Sequence, residues 1–201
     1  MMTHSSNTSK IMLVSIDKTS DVGKRCLLRS YVEGRFPEDD IKNVTHGYSK
    51  DIYVCNRQVK LVLWDANSKD EYARLRPLTY PLTDVFLLCF SLFDVKSFES
   101  IETVWYPEIT RHCPQVPFLL VGTKCDKIIG NERGETNENK SNQVSKTKAY
   151  ELASKINAFT YIECSALTRE SLNEVFTEAI RAVICPRENL DLAQDKQCCL
   201  M

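Results

Sequence analysis

Two adjacent residues, Gly23 and Lys24, have the chemistry of a phosphate-binding site. They stand between a predicted buried strand, residues 11–16, and a predicted helix that runs from residue 23 to about residue 33. A Gly-Lys pair in this setting is the core of the loop G-x-x-x-x-G-K-S/T, whose backbone N–H groups and lysine bind phosphates. Such a pair at a helix start is more often a coincidence, so other residues have to support this interpretation.

The rest of the loop departs from that pattern. Lys18 stands at the first glycine, and Arg25 stands where a serine or threonine hydroxyl would ligate magnesium. Arginine has no acceptor atom, so it cannot ligate a cation. If the strand ends at Val14, Ser15 takes the first-glycine position and three residues are inserted. Asp21 adds a negative charge close to the predicted position of the phosphates.

Three further strand ends carry groups that suit a guanine nucleotide. Asp65 ends a strand with a carboxylate of the kind that is associated with magnesium. Asp126 follows another strand, and its carboxylate can accept hydrogen bonds from the ring N–H and the amino group of guanine, which adenine does not offer. Residues 163–167 end the next strand, where a backbone N–H can reach the guanine carbonyl. Together with Gly23-Lys24, these features favour a nucleotide site over chance.

Strand-like and helix-like patterns alternate along the chain. Beyond the first strand, the predicted strands are residues 48–55, 59–65, 84–91, 117–122 and 159–163. Beyond the first helix, helices are predicted to include residues 98–109, 149–156 and a last segment that starts with a capping box at residues 171–174. This alternation predicts an α/β fold, a doubly wound and mostly parallel six-stranded sheet with helices on both faces and ligands at the carboxyl ends of the strands.

The chain is expected to form one domain with two tails. We expect a flexible amino terminus over residues 1–10, the domain over residues 11–185, and a flexible carboxyl-terminal tail over residues 186–201. Within the domain, the polar stretch at about residues 127–146 predicts an exposed insertion.

The composition limits the class of protein. Hydrophobic residues make up 43% and charged residues 26% of the chain, which is typical of a soluble globular protein. The net charge of −1 provides no basic field for nucleic acid. The nine cysteines show no Cys-x-x-Cys spacing, so we expect core thiols in a reducing compartment rather than a zinc site or disulfides. The six glycines leave few positions that adopt positive φ without strain.

These motifs and several further segments resemble the Rho/Rac branch of the small GTPases of the Ras superfamily. The segments that carry the resemblance are Trp64-Asp65, Glu71-Tyr72-Ala73-Arg74-Leu75-Arg76-Pro77-Leu78, Tyr80-Pro81, Asp84-Val85-Phe86, Trp105-Tyr106-Pro107-Glu108 and His112-Cys113-Pro114. Threonine at Thr123 and an insertion after Asp126 are typical of the Rho branch. The resemblance implies a P-loop NTPase-type fold, the family activity of GTP hydrolysis, control of actin and cell shape, and exchange factors and effectors that bind the switch regions.

The resemblance also implies a role for each matching residue. Lys24 would hold the β- and γ-phosphates, Phe36 would stack near the base, and Asp126 would read guanine. Asp65 would support magnesium through water. The implied nucleotide-binding residues are Gly23, Lys24, Arg25, Cys26, Phe36, Thr123, Lys124, Asp126, Ser165, Ala166 and Leu167.

Both switch regions depart from the family pattern. Asn43 replaces a magnesium-ligating threonine, and Ser68 replaces a glycine that contacts the γ-phosphate. Lys69 replaces the catalytic glutamine, and its ammonium has no acceptor with which to orient the attacking water. Loss of one such group commonly costs about 10²–10³ in rate. With Arg25 at the metal-ligand position, we expect no useful GTP hydrolysis and assign no catalytic residue.

Nucleotide binding is a separate question, because the base-reading residues are intact. One hypothesis is that Arg25 and Lys69 place positive charge where magnesium would lie, which would allow metal-independent binding of GTP or GDP. The alternative is a nucleotide-free pseudo-GTPase, a binding module that scaffolds or sequesters exchange factors or effectors. A third possibility is an ordinary slow GTPase in which neighbouring residues take over the lost roles.

The carboxyl terminus carries a lipidation signal. Cys198-Cys199-Leu200-Met201 is a C-a-a-X sequence, and a terminal methionine favours a farnesyl group on Cys198. One lipid is a weak anchor, and residues 186–201 lack a polybasic run. We therefore expect either a reversible acyl chain on Cys185 or transient residence on the membrane. The expected location is the cytoplasm and the cytosolic face of the plasma membrane or internal membranes.

Overall fold

One β-sheet runs through the part of the chain that the structure describes. The computed structural model describes residues 8–14, 22–38, 47–54, 57–66, 73–131 and 142–184. Its strands are β1 (Thr8–Val14), β2 (Gly47–Val54), β3 (Arg57–Asp65), β4 (Val85–Ser91), β5 (Phe118–Thr123) and β6 (Tyr161–Cys164). They form a six-stranded sheet in the order β2-β3-β1-β4-β5-β6, in which β2 is antiparallel to β3 and every other pair is parallel. The predicted sheet and its β2–β3 hairpin are confirmed.

Helices follow most of the strands. They are α1 (Lys24–Glu33), α2 (Val95–Ser100), α3 (Tyr106–His112), α4 (Asp126–Asn131), α5 (Lys146–Lys155) and α6 (Leu172–Ile184). A π-helical turn, Ile101–Trp105, joins α2 to α3 and ends two residues before Pro107. The wider turn suits this position, because a proline has no N–H and crowds the preceding turn of a regular helix. Within the described residues, no helix is both long and apolar enough to cross a membrane.

Alternate residues of β4 face two separate cores. Leu87 and Cys89 belong to the core that includes apolar residues of α1 and α6. Phe86 and Phe90 belong to the core that includes the π-helical turn, α3 and α5. Because successive side chains of a strand point to opposite faces, helices cover both faces of the sheet. Every residue of β4 is buried, so the strand has a continuous apolar run rather than an alternating pattern.

The last helix, α6, begins at Leu172, directly after Ser171 as predicted, and has the predicted apolar face. Its buried residues include Leu172, Val175, Phe176, Ala179 and Ile180. Phe176 stacks on Tyr31 of α1 with ring centroids 3.8 Å apart. The predicted capping box at Ser171 is wrong, because Ser171 has a left-handed backbone with φ of 49°, whereas a capping serine has an extended one.

The first strand begins at Thr8 rather than at residue 11, so residues 8–10, which the sequence predicts to be flexible, belong to β1. Thr8 to Lys10 pair with Lys60 to Val62 of β3. The Lys10 ammonium donates hydrogen bonds to the carbonyls of Thr79 and Pro81 at 2.6 and 2.9 Å. Backbone pairing and these contacts hold this segment in the sheet. Its side chains are polar, so the hydrophobicity pattern of the sequence does not predict a strand here.

The end of the predicted exposed insertion, residues 127–146, packs onto the domain. Val144 is 4% exposed, and its N–H donates to the carbonyl of Leu92 at 2.9 Å. Helix α5 begins at Lys146, three residues before the predicted start at residue 149. The hydroxyl of Ser145 caps it by accepting from the Lys148 N–H at 3.3 Å. Residues 132–141 of this stretch lie outside the described residues.

A buried ion pair fixes the chain just before β4. The guanidinium of Arg76, which is 5% exposed, donates to both carboxylate oxygens of Glu108 at 2.9 and 2.6 Å. The hydroxyl of Tyr80 donates to the same carboxylate at 2.5 Å. Burial opposes the charged form, but these hydrogen bonds outweigh it, and the pKa of Glu108 lies below its ordinary value. The segment around residue 105 therefore holds the turn that follows residue 73.

Candidate nucleotide-binding site

A cavity of about 230 Å³ opens where β5 and β6 end, beside the start of α1. Its lining residues are Val22, Gly23, Cys26, Leu27, Phe36, Thr123, Lys124, Asp126, Lys127, Ala166 and Leu167. Carboxyl ends of parallel strands are the usual ligand position in doubly wound sheets. The structure thus brings together residues from four separate segments that the sequence analysis selected. It adds Val22, Leu27 and Lys127, which have no motif of their own but are near neighbours of Gly23 and Asp126.

The carboxylate of Asp126 is held in place by Ser165. The Ser165 hydroxyl donates to Asp126 Oδ1 at 2.5 Å. The same hydroxyl oxygen accepts from the N–H groups of Leu167 and Thr168 at 3.1 Å each. Ser165 is completely buried, so bulk water does not compete for its hydroxyl group. One side chain therefore orients both the carboxylate and the loop that follows β6.

Thr123 joins the start of α1 to the end of the sheet. Its hydroxyl lies 2.7 Å from the carbonyl oxygen of Val22 and 3.0 Å from that of Phe90. The next residue, Lys124, has a left-handed backbone with φ of 65°. Non-glycine residues in such conformations are enriched at ligand sites. Its stem passes over Gly23, since Lys124 Cε lies 3.7 Å from the point where a Cβ on Gly23 would be.

Gly23 turns the chain into α1. Its φ is 87°, a conformation that glycine adopts without the strain of a side chain, and its carbonyl accepts from the Leu27 N–H at 2.9 Å. The N-terminus of a helix attracts anions such as phosphate. Helix α1 is also fixed to the loop after β6, because the Ser30 hydroxyl donates to the carbonyl of Ala166 at 2.8 Å. The end of the site that suits phosphates is thereby held in a defined position relative to the cavity.

Three charged side chains meet beside the start of α1. The Lys24 ammonium lies 3.1 Å from Asp65 Oδ1, and the Nε–H of Arg25 donates to Asp65 Oδ2 at 3.1 Å. The Lys24 ammonium also donates to the carbonyl of Ala66 at 3.1 Å. Lys24 is 5% and Asp65 is 8% exposed, whereas 41% of the Arg25 side chain is exposed. The carboxylate therefore has a side-chain cation at each of its oxygens.

These three residues do not fit a magnesium ion. Magnesium takes oxygen ligands in a near-octahedral arrangement, usually one or two carboxylates with phosphates and water. Arg25 has no acceptor atom to offer, and its guanidinium is hydrogen-bonded to the carboxylate that would support the metal. Among the described residues, the expected hydroxyl ligand is thus replaced by a cation that repels a metal ion from Asp65.

The cysteines near this edge of the sheet behave as core residues, as predicted. Cys89, Cys125 and Cys164 are buried. Burial raises the pKa of Cys89 to about 12, and burial together with Glu170 raises the pKa of Cys125 to about 12. Because the thiolate is the nucleophilic form, these thiols are unreactive near neutral pH.

Several predicted residues lie outside the described part of the chain. They are Ser15, Lys18, Asp21, Asn43, Ser68, Lys69, Cys185 and Cys198. The predictions made for the loop before residue 22, for both switch regions and for the tail remain predictions.

The doubly wound sheet and the cavity at its carboxyl edge define a nucleotide-binding protein of the α/β class. A family model described as the Ras family matches residues 10–185, and the chain belongs to the Ras family. It is therefore a small GTPase of the Ras superfamily with the P-loop NTPase fold. Proteins of this family bind GTP and GDP and act in signalling through regulators and effectors.

Replacing Ser165 tests the geometry of the cavity wall. We expect Ser165→Ala to weaken binding of a fluorescent GDP analogue about tenfold or more, because the change frees the Asp126 carboxylate and removes the acceptor that holds the N–H groups of Leu167 and Thr168. The affinity is measured by fluorescence titration of nucleotide-depleted protein. Ser154→Ala on the exposed face of α5 is the matched control and should have no effect. Equal affinities for both variants would contradict the orienting role of Ser165.

Proposed function

We propose that this protein is a Rho-type, guanine-nucleotide-binding signalling protein that binds nucleotide but hydrolyses it little. The observation that carries this proposal is the Asp126 carboxylate, which lines the cavity and is held by Ser165 at 2.5 Å. A carboxylate so placed accepts from both the ring N–H and the amino group of guanine. The phosphates would then extend toward Gly23 and Lys24 at the start of α1.

The Rho branch is supported by residues on and near this site. Thr123 occupies the position where Rho-like proteins have threonine, and a polar insertion follows Asp126. Exchange factors and effectors would bind beside the switch regions, where Leu75 and Leu78 are 57% and 73% exposed. Exposed apolar side chains of this kind are typical of protein-binding surfaces. The resemblance then assigns the protein to control of actin and cell shape.

Guanine recognition is tested by replacing Asp126 and measuring which base the protein then prefers. We expect the full-length protein to contain bound guanine nucleotide when it is purified. Asp126→Asn should lose at least about 10²-fold in affinity for GDP and gain affinity for xanthosine diphosphate, because xanthine has a carbonyl where guanine has its amino group. Competition titrations against a fluorescent GDP analogue measure both affinities.

Asp51→Asn, on the exposed edge strand β2, is the matched control and should bind as the wild type does. A protein that is purified without nucleotide and binds none, or an Asp126→Asn variant with unchanged specificity, would refute guanine recognition.

Weak hydrolysis is proposed from the residues at two catalytic positions. Arg25 stands where the magnesium-ligating hydroxyl is expected, and its guanidinium is paired with Asp65 at 3.1 Å. Lys69, from the sequence, stands where the water-orienting glutamine is expected. Because phosphoryl transfer depends on positioning and charge stabilisation, the loss of both groups should leave little turnover.

Phosphate release from protein loaded with GTP measures this directly. In a single-turnover assay we expect release at the background rate, both with magnesium and with EDTA. GTP incubated in the same buffers without protein sets the background. Magnesium-dependent release clearly above that background would instead support an ordinary slow GTPase.

A second candidate function is a nucleotide-free binding module. It is favoured by the internal pairing of Lys24, whose ammonium lies 3.1 Å from both Asp65 Oδ1 and the carbonyl of Ala66. A phosphate would have to compete with these partners for Lys24. In this case the protein would act by scaffolding effectors or sequestering exchange factors, and the nucleotide content of the purified protein distinguishes the two functions.

Membrane attachment is proposed from the carboxyl-terminal sequence. We expect mass spectrometry of the native carboxyl terminus to find a farnesyl group on Cys198. Cys198→Ser should move the protein from the membrane fraction to the soluble fraction, whereas Cys199→Ser, the neighbouring control, should keep it on membranes. An unmodified Cys198 would rule out this anchor.

A further inference from the structure

The cluster of Lys24, Arg25 and Asp65 has an unusual charge balance for a nucleotide site. Two cations lie 3.1 Å from the two oxygens of one buried carboxylate. Two cations and one carboxylate leave the three side chains with a formal net charge of +1, so the cluster remains attractive to phosphate. In a metal-dependent site, a divalent ion supplies this excess positive charge.

Arg25 has the chemistry to supply this excess positive charge in place of a divalent ion. A guanidinium has five N–H donors in a planar fork that matches phosphate oxygens, and it stays protonated at any physiological pH. One of these donors, the Nε–H, is directed at Asp65 Oδ2. Arg25 also lies in the first turn of α1, next to Lys24, and 41% of its side chain is exposed to solvent. The carboxylate therefore positions a cation that a phosphate can approach.

We propose that Arg25, positioned by Asp65, replaces the divalent cation at the nucleotide phosphates, so that this protein binds guanine nucleotide independently of magnesium. The inference rests on the proposed guanine-nucleotide binding and adds how the phosphate charge is balanced. It assigns Arg25 as a phosphate-binding residue and Asp65 as its positioning residue, rather than as a carboxylate that supports a metal.

The affinity of the full-length protein for a fluorescent GDP analogue, measured with excess magnesium and with excess EDTA, tests the inference. The two dissociation constants should agree within about threefold. An affinity that falls more than about tenfold in EDTA would overturn the inference and leave guanine-nucleotide binding intact. The absence of binding in both buffers would overturn the inference together with the proposed function.

Variants at position 25 test the role of the guanidinium. Arg25→Thr removes the cation and supplies a hydroxyl, so its affinity in EDTA should fall about tenfold or more, and magnesium should restore part of the loss. Arg25→Lys keeps the charge without the planar fork and should lie between the two. Arg181→Thr on the exposed face of α6 is the matched control and should bind as the wild type does in both buffers.

Thermal melting checks that each variant is folded. If Arg25→Thr is unstable, the wild-type affinities in magnesium and in EDTA, together with the affinity of Arg25→Lys, decide the question. An Arg25→Thr protein that binds in EDTA as tightly as the wild type would overturn the inference, because the cation at position 25 would then contribute nothing at the phosphates.

Discussion

The phosphate end of this molecule depends on how the Asp65 carboxylate is neutralised. This carboxylate is 8% exposed, and an isolated charge at such a position is strongly unfavourable. Lys24 and Arg25 compensate this charge from the first turn of α1. Their two contacts with Asp65 also join the end of β3 to that helix. Removing one partner from a buried ion pair is destabilising, because the remaining charge stays buried. Any phosphate that binds here must therefore share Lys24 and Arg25 with Asp65.

The base end of the site is held by different interactions. Ser165 orients Asp126, and Thr123 ties the residue before Gly23 to the ends of β4 and β5. None of these hydrogen bonds involves Lys24, Arg25 or Asp65. The two ends of the site therefore rest on separate interactions, so a change at the phosphate end would leave the geometry proposed for guanine intact.

The sequence predicted the sheet and most of the cavity, because buried parallel strands leave continuous apolar runs and the site residues stand directly after them. It did not predict that Thr8 begins β1, since the pairing that holds this segment is made by the backbone. It also missed the left-handed Ser171, whose conformation depends on the surrounding turn. The contact between Arg25 and Asp65 joins residues 40 positions apart, and no local pattern encodes it.

The molar ratio of magnesium to guanine nucleotide in the purified protein tests the central claim most directly. The protein is purified in magnesium buffer, desalted, and analysed for nucleotide by chromatography and for metal by mass spectrometry. Stoichiometric guanine nucleotide with far less magnesium is the result predicted by a cationic Lys24–Arg25–Asp65 cluster at the phosphates. One magnesium ion for each bound nucleotide would contradict it.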